Sequence, residues 1–273
     1  MSINLVQYSQ VRQTLSVSKS LKASFFIAER GTRMNYLWSR IREVPRWGWA
    51  FGIVYFALQY GMYRLGELLS RVLGTVSYAF PCKIPVLDDL FPLVPAFAVI
   101  YLYSYFFWIC GPIAVSLTKK RNFVNYICGL SLAYIIGFLF FIFLPTYMDR
   151  TAEGLMEAAK QPGIFNAMLA TIYAADGSEY AFNLFPSYHC LISLYCYLGV
   201  RGQEEISRGF KIYSLVMVVL ICLSTIYTKQ HYVIDMVGGL GIAFFCYNLM
   251  GRLDPGKRWA QPDPEPVEGP VEQ

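Results

Sequence analysis

Charge is scarce in this 273-residue sequence: 15% of the residues are Asp, Glu, Lys or Arg, against about 25% in an average soluble domain. A water-soluble globule is thereby excluded as the default class. Histidine is scarcer still, with two in the whole chain, so any imidazole chemistry must run through His189 and His231. The seven cysteines show no paired metal-ligand spacing. Cys110, Cys128, Cys190, Cys196, Cys222 and Cys246 lie in or beside apolar runs and read as small membrane-helix residues, while Cys82 falls in a polar loop. The sequence shows no internal repeat and no Pro/Gly/Ser linker that would divide the chain. Residues 1–46 hold no uninterrupted apolar stretch ahead of a small-residue cleavage site, so no cleavable signal peptide is expected. The net charge of +5 is small, which gives no reason to expect a nucleic-acid partner and suits membrane topology better.

What the chain has is apolar surface: 56% hydrophobic residues, 17% aromatic ones and a mean hydropathy of +0.40. The apolar residues gather into runs near the length of about 20 that a helix needs to cross a bilayer. Six spans are expected, at 47–63 with an amphipathic continuation, 91–118, 123–147, 186–200, 210–227 and 231–250. The fourth is short for a span. The fold class is therefore all-α, a polytopic membrane protein of six transmembrane helices. A basic amphipathic segment (1–46) precedes the membrane domain (47–251), and a Pro- and Glu-rich disordered tail (252–273) follows it. Lys and Arg are retained on the cytoplasmic side. With six spans, Arg64, Arg71, Lys83, Arg150, Lys160 and Lys229 face one side and the remaining 17 of the 23 basic residues face the other. Both termini are thus expected in the cytoplasm, and the acidic connection 148–185 outside.

Each histidine stands at the external end of a span. Ionisable groups at membrane depth are costly enough to mark function by default, although a histidine that only hydrogen-bonds between packed helices is an alternative. They are 42 residues apart, about one span inward and one outward, which returns both imidazoles to one face. His189 ends the run Pro186-Ser187-Tyr188-His189, a helix start whose free N–H groups and dipole favour an anion such as phosphate. His231 stands four before Asp235. On a helix the two share a face, so that the carboxylate orients one ring nitrogen while the other attacks.

The pattern Pro186-Ser187-x-His189, then Ser224-x6-His231-x3-Asp235, resembles the second and third signature motifs of the type-2 phosphatidic acid phosphatase superfamily. That superfamily includes lipid phosphate phosphatases, undecaprenyl-diphosphate phosphatases and, more distantly, sphingolipid synthases, and the resemblance covers roughly residues 85 to 250. It implies that His231 attacks phosphorus to give a phosphohistidine, that Asp235 orients it and that His189 protonates the leaving group. It implies a lipid phosphate or diphosphate substrate, no metal and no other cofactor. The location expected is the plasma membrane of a bacterial cell, with the active site external.

Two positions depart from the family pattern. Thr225 stands where the third motif usually has arginine, and the first motif is absent in clean form. Lys229 and Arg150 are the substitutes expected to bind phosphate, beside Ser187. Asp176 is a candidate head-group contact. The aromatic stretch 101–108 is either the lining of a lipid-tail cavity or ordinary helix packing, and Asp88 and Asp89 read as a solvated cap. Hydrolysis is favoured over transfer of a phospho-head group to a second lipid. The rival readings are a transporter with a histidine proton relay, against which stands the lack of inverted repeat halves, and an inactive lipid-binding relative.

Overall fold

The computed structural model describes residues 41–177 and 179–259. The chain forms two units, Met1–Pro45 and Arg46–Gln273. Of the first, only residues 41–45 are described, so the expected basic amphipathic segment lies outside the described residues apart from that end. The fold below is that of the second unit.

Its main helices are α1 (Arg46–Val72), α3 (Ala98–Val115), α4 (Lys120–Phe143), α7 (Tyr188–Arg201), α8 (Arg208–Tyr227) and α9 (Val233–Leu253). Short helices α2 (Pro85–Asp88), α5 (Leu155–Ala159) and α6 (Ile164–Ala175) stand in the connections. Local sequence sets several boundaries. α4 stops before Leu144-Pro145, because a proline disfavours helix in the residue before it. Ser187 and Ser207 cap α7 and α8 by accepting the N–H of Cys190 and Phe210. α9 ends on Asp254 in the left-handed region, followed by Pro255.

Among the described residues four helical stretches are long and apolar enough to cross a membrane: Pro95–Val115, Lys120–Phe143, Arg208–Tyr227 and Val233–Leu253. α1 and α7, which cover the first and fourth expected spans, do not meet that standard. α1 carries Arg46, Arg64, Glu67 and Arg71, and α7 has only 14 residues, about 21 Å at the usual rise. α7 is the hub of the bundle, packed against α3, α4, α8 and α9 with 11 of its residues buried. A helix enclosed by protein does not have to match the bilayer by itself. The outward faces are strongly apolar, with Ile53, Leu68, Val219 and Phe245 all more than half exposed, as contact with lipid requires.

The connection expected as a long acidic loop is folded. β1 (Tyr147–Asp149) pairs antiparallel with β2 (Tyr180–Phe182), Met148 opposite Ala181. With α5 and α6 the pair builds a second core of Met148, Leu155, Leu169, Ile172 and Tyr173 against Ala98, Tyr101 and Tyr232. This cap is tied to the bundle by polar contacts. The Tyr173 hydroxyl donates to the Thr228 carbonyl at 2.9 Å, and Tyr232 donates to Glu153 at 2.6 Å. At the other end of the bundle, residues 252–259 differ from the expected disordered tail. Asp254 pairs with Arg121 and Asn125, and Gly256 N donates to Asn125 Oδ1 at 2.7 Å, which seats a short 3-10 turn (Pro255–Trp259) on α4. Residues 260–273 lie outside the described ones.

Candidate active site

His189 sits in the first turn of α7 and is fixed by what precedes it. Thr146 Oγ1 accepts the N–H groups of Leu184 and Phe185, at 3.1 and 2.9 Å, and the Thr146 carbonyl accepts that of Asn183. The sequence places Pro186 at the helix start, but the helix begins two residues later, at Tyr188, because Ser187 takes the capping position. Ser187 is completely buried and its N–H donates to the Asp235 carbonyl at 3.0 Å. That bond joins the beginning of α7 to the first turn of α9. Gly239 lets the two helices meet there: a Cβ at this position would overlap the Ser187 carbonyl oxygen and crowd the Leu191 nitrogen at 3.2 Å. The His189 ring is stacked on Tyr101 at 4.2 Å and lies edge-on to Trp108 at 4.7 Å.

His231 precedes α9 instead of lying on it. α8 ends at Tyr227, and the chain reverses through Lys229, whose φ of 50° is in the left-handed region. The Thr225 carbonyl accepts the N–H groups of both Gln230 and His231, at 2.9 and 3.2 Å. Two carboxylates then start α9. Asp235 Oδ2 accepts the Tyr232 N–H at 2.8 Å, and Asp88 Oδ1 accepts that of Val233 at 2.7 Å. Hence Asp88 is not the solvated cap that the sequence suggested; it is 3% exposed and caps a helix 145 residues away. The helical i, i+4 geometry expected of His231 and Asp235 is replaced by contact across the helix cap, where Nδ1 lies 3.6 Å from Oδ2. Among the described residues neither His231 Nδ1 nor Asp235 Oδ1 has a hydrogen-bond partner. Such bonds commonly tighten only when substrate is bound.

Both histidines line one cavity of about 160 Å³, with Gln230, Asp176, Asn183, Tyr63, Tyr101 and Tyr105. Its walls come from α1, α3, α4, α6, β2, α7 and the turn before α9. The 101–108 stretch is divided between the two expected roles, since Tyr101 and Tyr105 face the cavity while Phe107 and Trp108 are buried in the bundle core.

The expected phosphate ligands are placed differently from one another. Ser187 accepts the Cys190 N–H at 3.4 Å as the helix cap and is not on the cavity wall. Lys229 donates to the Asp88 carbonyl at 3.0 Å and is not on the cavity wall; burial pulls its ammonium below the ordinary lysine value. Arg150 is fully buried one residue behind the wall. Its Nη2 donates to Asp176 Oδ2 at 2.7 Å and to Gln230 Oε1 at 3.2 Å, and its guanidinium lies 4.5 Å from the Tyr173 ring. Tyr63 donates to the second Asp176 oxygen. Burial raises the Tyr173 hydroxyl above its usual value. No group of three or more His, Cys, Asp or Glu among the described residues is arranged to hold a metal ion.

The family model described as PAP2 superfamily matches residues 70–249. The chain belongs to the PAP2 superfamily. Membership brings phosphatase or phosphotransferase chemistry related to lipids, and the matched region runs from the end of α1 through α9, so it includes every cavity residue named above except Tyr63. No curated protein and no solved structure matches the chain. Sequence reasoning about this PAP2 protein missed Tyr63 and the role of Gln230. Tyr63 lies 113 residues from its partner Asp176, and nothing in its local pattern marks it. Gln230 was visible only as the neighbour of His231.

Proposed function

We propose that the chain is a membrane lipid phosphatase that hydrolyses a lipid phosphate or diphosphate through a phosphohistidine on His231. The observation that carries this reading is that the chain's two histidines meet on one cavity wall, His231 backed by Asp235, in a PAP2 superfamily member. His231 Nε2 attacks phosphorus while Nδ1–H turns to the Asp235 carboxylate, which stabilises the imidazolium character that develops. The P–O bond to the lipid breaks, and His189 gives its proton to the departing oxygen. Water then attacks the phosphohistidine, His189 takes the proton from that water, and the His231 nitrogen leaves as free imidazole.

The cavity's volume supports a head group as its occupant. Pockets that enclose drug-sized ligands run about 300–1,000 Å³, so about 160 Å³ suits a phosphoryl group and its nearest atoms, with the acyl or prenyl chain outside along the apolar bundle face. The folded cap, with α6 contributing Thr171, Ile172 and Ala175 to the wall, forms a fixed rim through which water reaches the phosphoenzyme. The membrane domain is read as six spans, with α7 crossing inside the bundle and α1 crossing with one face exposed, both termini in the cytoplasm and the cap outside. Supporting this is the sequence distribution of basic residues, of which 17 of 23 fall in the segments that six spans assign to the N-terminal side. Phosphate release by purified protein against a panel of lipid phosphates and diphosphates tests the reading. Release that is lost in His231→Ala is expected; a wild-type protein inert on the whole panel contradicts it.

A further inference from the structure

The Gln230 side chain is 2% exposed, lies on the cavity wall and directly precedes His231. Its Oε1 accepts from Arg150 Nη2. A guanidinium has only donors, so the chemistry fixes the amide's orientation: oxygen toward Arg150, NH2 away from it. That NH2 has no hydrogen-bond partner among the described residues. A buried donor without an acceptor is unfavourable, and each one in a folded protein calls for a reason.

Arg150 cannot itself serve the cavity. It is completely buried, and its guanidinium is engaged by the Asp176 carboxylate, the Gln230 amide and the face of Tyr173. Lys229 is turned to the Asp88 carbonyl. Both cations that the sequence offers for phosphate are therefore off the wall, and Thr225 stands where the family has arginine. What lines the cavity on this side is Gln230, whose amide is polarised from behind by a guanidinium.

We propose that Gln230 is a catalytic residue whose NH2 donates to a non-bridging oxygen of the phosphoryl group attacked by His231, and that Arg150 is a positioning residue acting through it. The proposal rests on the phosphohistidine reading of the cavity and names the donor that reading lacks. A fixed, charge-backed amide needs no reorganisation when the phosphoryl oxygens gain charge, which is how preorganised donors favour the transition state over the ground state. Loss of such a donor lowers kcat more than it changes KM.

The test uses the purified full-length chain and orthovanadate as a phosphoryl transition-state mimic. Binding is followed by calorimetry and by inhibition of phosphate release, with the thermal midpoint as a folding control. Gln230→Leu removes the donor; Gln230→Glu keeps the length and the contact with Arg150 but brings no N–H. Both are expected to weaken vanadate at least about tenfold, the loss typical of a hydrogen bond to a charged group, and to lower kcat with KM nearly unchanged. Arg150→Lys is expected to weaken vanadate in the wild-type background and to add nothing to Gln230→Leu. A folded Gln230→Leu protein that binds vanadate as tightly as wild type overturns the proposal and leaves the phosphohistidine reading standing. Wild-type protein that neither binds vanadate nor releases phosphate overturns both. Should the variants fail to fold, wild-type protein labelled with ¹⁵N-glutamine decides: the Gln230 side-chain amide signal shifts on vanadate saturation if the proposal holds, and stays in place if it is wrong.

Discussion

The imidazole rings of His189 and His231 lie 5.8 Å apart, centroid to centroid, although 42 residues separate them in the chain. The contact depends on the reversal at Lys229, on the cap bond from Ser187 N to the Asp235 carbonyl and on the close approach that Gly239 permits. A phosphoryl group seated against one ring is thus within reach of the other, which is what an attacking atom and an acid need.

The two histidines are expected to fail differently. His231→Ala removes the proposed attacking atom and should abolish turnover. His189→Ala should slow turnover on a lipid substrate by about 10²-fold or more, the usual size of a general-acid contribution, and much less on a substrate with a good leaving group such as p-nitrophenol. Steady-state rates on both substrates check this, and equal losses on the two would remove the acid role.

Gly239 carries a packing prediction. Gly239→Val should push α9 away from α7, because its side chain would meet backbone rather than a movable side chain. A cost of about 1–3 kcal/mol in stability is expected from such overpacking, with a larger loss of activity since His189 and Asp235 are displaced relative to each other. Thermal unfolding and turnover measured on one preparation decide it; unchanged activity contradicts the geometry.

The pair formed by Arg150 and Asp176 is coupled through burial. Asp176→Asn leaves the fully buried Arg150 without its carboxylate and should cost about 3 kcal/mol, while Arg150→Met in the same chain should recover part of that loss. Denaturation of the two single variants and the double variant measures the coupling. Simple additivity would show that the ion pair is not what holds α6 to the turn before His231.

Lys229 gives a pH signature. Burial lowers its folded value below the 10.5 of the free side chain, so the folded form loses the proton first as pH rises. Its stabilising effect relative to Lys229→Met is full above 10.5 and is lost as pH falls through the folded value. The difference in thermal midpoint between wild type and Lys229→Met should therefore shift in favour of wild type on going from pH 8 to pH 11. A pH-independent difference would place the ammonium in water.

How much of this was legible in the sequence depends on the range of the interaction. The membrane class and the helix positions rest on composition and on runs of apolar residues, which are local. His189, His231 and Asp235 stood in motifs with a fixed spacing, and both histidines line one cavity. The fold of 148–185 was not legible, because its core is built with Ala98, Tyr101 and Tyr232 from distant segments. The phosphate ligands were misjudged for a related reason. A cation near the motif looks available until its partners are known, and those of Arg150 and Lys229 are Asp176, Gln230 and the Asp88 carbonyl. Asp88 caps α9 from 145 residues away, a contact that no local pattern shows.

The proposed side of the membrane is open to a labelling test. In a background free of native cysteines, a membrane-impermeant thiol reagent applied to intact cells should label Glu157→Cys on the exposed face of the cap and not Ser207→Cys at the start of α8. The reverse pattern would turn the active site to the cytoplasm and change the pool of lipids it meets.

The choice between water and a lipid alcohol as acceptor is open to a product assay. With a phospholipid donor and a ceramide, diacylglycerol or prenol acceptor, the proposed hydrolase predicts that free phosphate or phospho-head group dominates. Efficient transfer to the acceptor with negligible release would make the protein a phosphotransferase on the same two histidines.

The most direct measurement is the covalent state of His231. Protein mixed rapidly with a ³²P-labelled lipid phosphate or diphosphate and quenched in alkali should carry an acid-labile, alkali-stable phosphoryl group. Mass spectrometry should place it on the peptide that contains His231, and it should be absent in His231→Ala. Turnover with no phosphoryl group on that peptide, or a trapped phosphate elsewhere in the chain, would contradict the account.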